Sequence, residues 1–124
     1  MTSPAPSRRG LSRDARLKHG RDFARLKQSG QRAVNGCLIA NWLALPAGSR
    51  SRLGVVVSRK VGNAVARSRA RRLMRESFRL HQLELREPLD LVLVARPSIA
   101  KQDYAGVEKD FLSTLRRAGL LNPA

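Results

Sequence analysis

The chain has 124 residues and a formal net charge of +16, because 25 Lys and Arg face only 9 Asp and Glu. Its length supports one hydrophobic core and is too short for two of ordinary size. Its net charge lies far outside the range of an average soluble enzyme. Hydrophobic residues make up 42% of the chain but aromatic residues only 4%. We therefore expect a core of Leu, Val, Ile and Ala, and a polyanionic partner.

The single cysteine, Cys37, excludes an internal disulfide framework and a zinc site built from several thiolates. Residues 1–10 hold no apolar run like the centre of a signal peptide, and nowhere do about 18 apolar residues follow one another. We expect a protein of the reducing cytoplasm that does not span a membrane.

Residues 1–12 mix Pro, Ser, Ala and Arg without a period, which is typical of a flexible basic tail. We expect a single folded domain over residues 13–121, with residues 122–124 as a short C-terminal end. Residues 21–29 lie between two glycines and predict a short helix.

The next segment predicts a β-hairpin. Residues 31–34 and the apolar run CLIANWLAL are joined by Asn35-Gly36, a pair that tolerates the two left-handed residues of a type I′ turn. Residues 46–49, PAGS, end the second strand.

Two further strands, residues 53–58 and 89–95, flank a long helix predicted from about Asn63 to Leu83. Residues 103–118 predict a last helix with Asp103 as N-cap and Gly119 as its stop. The element order is therefore αβββαβα.

The long helix carries the densest charge. Residues 58–79 contain eight cations and a single acid, Glu76. At about 100° per residue, one arc of the helix holds Ala66, Ala70, Leu73, Ser77 and Leu80. The opposite arc holds Ser68, Arg71, Arg72, Arg75 and Arg79. The second arc is either a solvated face or a surface for phosphate groups, and the uncompensated repulsion among its arginines favours an anionic ligand.

These residues also carry a family resemblance. Residues 53–78, LGVVVSRKVGNAVARSRARRLMRESF, resemble the signature of the bacterial ribonuclease P protein subunit. In that signature, a strand and a Ser-basic-basic-x-Gly-Asn-Ala-Val run lead into an Arg-Asn-Arg motif and then basic-Arg-Leu-x-Arg. The resemblance extends to Arg16-Leu17-Lys18, Asp22-Phe23 and Val94-Ala95-Arg96, and covers nearly all of the chain beyond its first dozen residues.

The resemblance implies an α/β (α+β) two-layer sandwich with a four-stranded mixed sheet. It further implies a left-handed β-α-β crossover, against the usual right-handed preference. The implied partners are the catalytic RNA of ribonuclease P and the 5′ leader of precursor tRNA, with no membrane and no obligate protein partner. The RNA would perform the cleavage and bind most of the Mg²⁺, so we expect no catalytic residue and no metal ligand in the protein.

The resemblance also implies two sets of binding residues. The set expected to contact the catalytic RNA is Arg59, Lys60, Arg67, Ser68, Arg69, Arg71, Arg72 and Arg75. The set expected to contact the leader is Phe23, Lys27, Ile39, Asn41, Val56 and Ser58. Ser68 stands where the family usually has Asn, and Lys27 and Asn41 stand where many members have aromatic residues. We therefore expect a weaker or redirected contact at Ser68, and phosphate contacts in place of some base stacking in the cleft.

Other functions are less well supported by these residues. A protein-only nuclease needs clustered carboxylates or a paired histidine, but Glu76 and Asp90 are isolated from other acids, His19 lies among basic residues, and His81 lies near the end of the long helix. Cys37 heads an apolar strand. Phe23, without the resemblance, could equally be an apolar anchor of the first helix. A ribosomal-protein-like binder of structured RNA is the main alternative. A DNA-binding protein is a weaker one, because no second helix precedes the basic helix at helix-turn-helix spacing.

Overall fold

The computed structural model describes residues 15–17 and 20–122. The expected basic tail, Lys18 of the N-terminal motif and His19 lie outside the described residues, as do both ends of the chain beyond them. The elements follow the predicted order. They are helix α1 (Gly20–Ser29), strands β1 (Gln31–Asn35), β2 (Leu38–Ala44) and β3 (Arg52–Val56), helix α2 (Ala64–His81), strand β4 (Leu89–Ala95) and helix α3 (Tyr104–Arg117).

The four strands form one mixed sheet in the order β1-β2-β4-β3. Strand β2 pairs antiparallel with both β1 and β4, whereas β3 and β4 are parallel. Helix α2 connects this parallel pair, as the predicted α+β fold requires. The left-handedness of this β-α-β crossover stays a prediction.

Strand β4 lies at the centre of the sheet and is covered on both faces. Its odd-numbered residues, such as Leu91 and Leu93, join the main core with Phe78 of α2 and Phe111 of α3. Val92 points to the other face and packs with Leu17 and Leu26 under α1. Fully burying a ring such as that of Phe78 contributes about 1.5–3 kcal/mol relative to leaving it exposed, so this two-sided burial fixes the sheet between its helices.

The predicted type I′ turn is wrong. Strand β1 runs through Asn35, which pairs with Leu38, so the turn residues are Gly36 and Cys37. Among the described residues only glycines have positive φ, with Gly36 at 57°, and one left-handed residue at the first turn position is typical of type II′. A contact with α3 fixes the turn, because the Cys37 N–H donates to Asp110 Oδ2 at 3.0 Å.

Strand β3 and helix α2 also differ from their predicted bounds. Strand β3 ends at Val56 and not at residue 58, because Ser58 precedes a 3₁₀ turn at Arg59–Val61 that buries Val61. Helix α2 has Asn63 as its N-cap, whose side chain accepts a hydrogen bond from the Ala66 N–H at 2.9 Å. It ends at His81, two residues before the predicted end, and continues as a 3₁₀ turn at Gln82–Glu84.

The buried face of α2 is rotated relative to the predicted one. The buried residues are Ala70, Met74, Ser77 and Phe78, whereas Leu80 is 44% exposed. The reason is that α2 packs against α3 as well as against the sheet, so the buried stripe is centred on the large side chains between those two neighbours. Helix α3 matches its prediction, with the Asp103 carboxylate accepting from the Gly106 N–H at 2.8 Å and with φ of 73° at Gly119.

Candidate nucleic-acid interface

The predicted RNA-contacting residues lie together on α2 and on the 3₁₀ turn before it. We call these eight residues the α2 arginine surface. Arg59, Lys60, Ser68 and Arg72 are exposed, and the other four are half-buried. Two of the half-buried side chains are held by backbone carbonyls: Arg67 Nη1 donates to the Gly62 oxygen at 2.8 Å, and Arg69 Nη2 donates to the Gln102 oxygen. These anchors fix guanidinium groups without neutralising them.

Arg71 and Arg75 form a cationic cluster with Arg16, which pairs with strand β3 by a bridge to Leu53. Burial, followed by the nearby charges of Arg16 and Arg71, lowers the pKa of Arg75. The Arg16 Nε is buried and has no hydrogen-bond partner in the part of the chain that the structure describes. Three cations therefore meet where no described carboxylate forms an ion pair with them, and an anion would relieve their repulsion.

Arg79, which was also predicted on the charged arc, has a different environment. Its Nε donates to Glu76 Oε2 at 3.0 Å, and this bonding raises the pKa of Arg79 and lowers that of Glu76. The C-terminal end of the charged arc is thus partly neutralised. The arginines of α2 that form no ion pair with a described carboxylate lie N-terminal to Arg79.

A second site lies on the opposite face of the sheet, where a cleft of about 640 Å³ opens between α1 and the strands. We call it the α1 cleft. It is lined by Phe23, Leu26, Lys27, Gly30, Arg32, Ile39, Asn41, Val56, Val92 and Val94. Five of the predicted leader residues therefore meet in one cavity. Ser58 is the exception, because it lies beyond the end of β3 and does not line the cleft.

The Phe23 ring lies so close to strand β3 that position 54 of the strand has room only for glycine. A Cβ atom on Gly54 would lie 2.7 Å from Phe23 Cζ and 3.3 Å from the Cβ of Leu17. Phe23 packs against the cluster of Leu17, Leu26 and Val92 and remains half-buried. The ring is therefore both an anchor of α1 and a wall of the α1 cleft.

An ion cluster centred on the buried carboxylate of Asp90 holds α1 against the sheet. Arg52 of β3 forms a bidentate pair with the fully buried carboxylate of Asp90 in β4, and its Nη1 lies 3.7 Å from Asp22 Oδ2 in α1. Arg25 of α1 also reaches Asp90 Oδ2, at 3.3 Å. The hydrogen bond to Asp90 is the main cause that raises the pKa of Arg52. Asp90, which is isolated from other acids in the sequence, thus helps to hold α1, one wall of the α1 cleft, in place.

Arg32 is a cleft residue that sequence reasoning missed. It lies on β1 directly opposite Asn41 of β2, and its side chain is exposed. Residues paired across two antiparallel strands point to the same face, so pairing the predicted hairpin with Asn41 would have placed Arg32 in the cleft. The α1 cleft therefore has two cations, Lys27 and Arg32, around an apolar floor.

Two other reactive side chains have structural surroundings. His81 faces Glu84 through Nδ1 and Glu108 through Nε2, the latter at 2.9 Å. Burial opposes charge on this ring, but the two carboxylates outweigh it and raise the pKa of His81. Burial and then Asp110 raise the pKa of the Cys37 thiol to about 12, which keeps the sulfur neutral.

Within residues 15–17 and 20–122, no three His, Cys, Asp or Glu side chains come together as a metal site requires. No helix in that part of the chain is long and apolar enough to cross a membrane.

Comparison with known proteins gives a consistent result. The family model described as Ribonuclease P matches residues 11–119. A ribonuclease P protein component from Alkaliphilus metalliredigens is 36% identical over 107 residues, which cover 86% of this chain and 96% of the relative. The RNase P protein of Staphylococcus aureus superposes with a TM-score of 0.79 at 27% identity, covering 87% of this chain and 98% of that one. The RNase P protein of Thermotoga maritima gives a TM-score of 0.72 at 30% identity, covering 82% and 96%.

Proposed function

The chain belongs to the ribonuclease P protein family, and on that premise we propose that it binds the catalytic RNA of ribonuclease P through the α2 arginine surface and the 5′ leader of precursor tRNA in the α1 cleft. The chain would thereby assist endonucleolytic removal of the leader, which yields the mature 5′ end of the tRNA. The single observation that carries this proposal is the concentration of cations along α2, where Glu76 is the one acidic residue and pairs with Arg79.

The α2 arginine surface suits a folded RNA. Guanidinium groups bind phosphate oxygens through planar, bidentate hydrogen bonds, and half of the residues on this surface are exposed. The cluster of Arg16, Arg71 and Arg75 would gain most from an anion, because its charges lie close together and partly out of water. Ser68 can contribute one hydroxyl donor and acceptor but not the paired amide geometry of Asn.

The α1 cleft suits an extended single strand. Its floor of Ile39, Val56 and Val94 offers an apolar surface to unstacked bases, and Lys27 and Arg32 are placed to neutralise phosphates. Phe23 is the one aromatic platform in this lining. Phosphate contacts would therefore contribute a larger share of leader binding here than base stacking.

The two sites are close enough for one RNA complex to use both. Val56 lines the α1 cleft, and Arg59 of the α2 arginine surface follows it by only three residues. The Cα atoms of these two residues are therefore at most about 11 Å apart. A leader that leaves the cleft at this edge would meet the catalytic RNA bound on α2.

We assign cleavage and its Mg²⁺ ions to the RNA, and give the protein an electrostatic and geometric role. Protein cations that neutralise converging phosphates reduce the amount of Mg²⁺ that the RNA needs to fold and bind substrate. Leader contacts favour precursor over product, because mature tRNA lacks the leader.

Reconstitution tests the proposal. The purified chain, mixed with a bacterial ribonuclease P RNA at low Mg²⁺, should stimulate removal of a 5′ leader. A ribosomal-protein-like binder would bind structured RNA without stimulating cleavage, and a DNA-binding protein would prefer duplex DNA over folded RNA in competition. Either result would overturn the proposed function.

A further inference from the structure

Val65 forms an exposed apolar spot within the α2 arginine surface. It is 78% exposed and lies one turn from Ser68 and Arg69 and two turns from Arg72, on the same face of the helix. A shallow hollow of about 360 Å³ is lined by Ala64, Val65, Ser68, Arg69 and Arg72. We call it the Val65 hollow.

The hollow combines an apolar floor with a cationic and polar rim. Arg69 is held in place by its hydrogen bond to the Gln102 carbonyl, so it forms a fixed wall. Arg72 is exposed and makes no hydrogen bond or ion pair with the described residues, so its guanidinium is available to a ligand. None of the five lining residues is acidic and two are arginines, so the positive charge of the hollow complements a polyanion.

We propose that the Val65 hollow binds one unstacked RNA nucleobase, with Val65 against the face of the base and with Ser68 and Arg72 at its polar edge or at the adjoining phosphate. The inference rests on the proposed contact between α2 and the catalytic RNA. It adds that α2 recognises an unpaired nucleotide as well as the phosphate backbone.

The composition of the hollow favours a base over a phosphate. A phosphate gains nothing from the methyl groups of Val65 and loses hydration beside them. A nucleobase has an apolar face for the valine and for a guanidinium plane, and a polar edge for Ser68. Bases inside an A-form helix are hidden from such a surface, so the occupant must be unpaired.

The first experiment measures binding to ribonuclease P RNA over a range of salt concentrations. Val65→Ala should weaken binding about five- to tenfold at every salt concentration, because it removes apolar contact area, and should leave the slope of log K against log salt unchanged. Arg72→Ala should reduce the magnitude of that slope by about 0.7–0.9 if it removes one phosphate contact.

Leu83→Ala is the matched control. Leu83 is 77% exposed, almost the same as Val65, but it lies in the turn after α2 beside Glu84 and outside the α2 arginine surface. We expect wild-type binding for this variant. Circular dichroism of each variant checks folding, and both substitutions are at exposed positions.

The second experiment identifies the nucleotide. A photo-crosslinking side chain at position 65 should react with one unpaired nucleotide of the RNA, and an abasic substitution at that nucleotide should abolish the difference between wild type and Val65→Ala. Wild-type affinity of Val65→Ala, crosslinks confined to paired nucleotides, or a Val65→Ala effect that persists on the abasic RNA would overturn the inference. Failure of the proposed function has a different signature, because charge reversal at Arg71 and Arg75 would then leave RNA binding intact.

Discussion

Arg52 donates two hydrogen bonds to the buried carboxylate of Asp90, from Nε to Oδ1 at 2.9 Å and from Nη2 to Oδ2 at 2.8 Å. The pair joins the two parallel strands β3 and β4, and Arg25 and Asp22 extend it to α1. The α1 wall of the cleft, which carries Phe23 and Lys27, is therefore held against the sheet by this ion cluster as well as by apolar contacts.

Arg52→Ala should destabilise the protein by about 3–5 kcal/mol, because it leaves the buried Asp90 without its bidentate partner. Urea unfolding measures the loss. Arg25→Ala is the control: Arg25 is 52% exposed in its contact with the same carboxylate, so its removal should cost less than about 1 kcal/mol. Equal costs for the two variants would contradict the assignment of Arg52 as the main partner.

Phe23→Ala should lower the affinity for leader-bearing precursor tRNA about tenfold, and that for mature tRNA much less, because stacking on an aromatic ring is worth about 1–3 kcal/mol per base. Binding of both RNAs to the reconstituted complex measures the two affinities. Equal losses for precursor and mature tRNA would reduce Phe23 to an anchor of α1.

Arg32→Ala should also weaken the binding of precursor tRNA more than that of mature tRNA, because it removes an electrostatic contact with the leader. The loss in affinity should be smaller at high salt. Gln31→Ala is the matched control, since Gln31 is the exposed neighbour of Arg32 on β1 and does not line the α1 cleft. The salt dependence of precursor affinity distinguishes the two variants. If both variants bind precursor as the wild type does, Arg32 takes no part in the cleft.

His81 at the end of α2 contacts Glu108 of α3 through its Nε2, and this contact, which we call the His81 clamp, should make stability depend on pH. The raised pKa of His81 means that its stabilisation is fully present below the usual value of 6.5 and is lost as pH rises through the pKa of the folded protein. Glu108, whose pKa the hydrogen bond to His81 lowers, stabilises above its usual 4.5 and loses this effect as pH falls through its lowered pKa. The clamp should therefore contribute most between about pH 4.5 and 6.5.

Thermal unfolding between pH 5 and 9 measures this effect, with His81→Gln as the comparison. The wild type should lose stability relative to the variant as pH rises above 6.5. Parallel curves for the two proteins over this range would show that the His81 clamp does not couple to folding.

Local signals in the sequence predicted most of the fold. Asp103 was identified as an N-cap because a helix start needs a side-chain acceptor within a few residues, and the long helix was predicted to begin at about Asn63, which is its N-cap in the structure. The run Leu89–Ala95, apolar except for Asp90, predicted the fourth strand. Five of the six residues that were predicted to contact the leader line the α1 cleft, but the resemblance and not periodicity pointed to them.

Contacts between distant residues account for what was missed. The hairpin turn is fixed by Asp110, whose carboxylate accepts from Cys37, 73 positions away in the chain. The buried face of α2 depends on where α3 packs, which helical spacing within α2 does not reveal. Asp90 looked isolated because Arg52 lies 38 residues before it. Each of these three errors concerns a partner that only the folded chain brings near.

The most direct test of the α2 arginine surface is the affinity of the double charge-reversal variant Arg71→Glu/Arg75→Glu for ribonuclease P RNA. Its control is Lys109→Glu/Arg116→Glu, which changes the net charge equally at two exposed positions of α3. We expect the α2 variant to lose at least a hundredfold in affinity and to fail in holoenzyme assembly, while the α3 variant loses far less. Normal assembly of the α2 variant, or equal losses for both variants, would contradict a docking role for this surface.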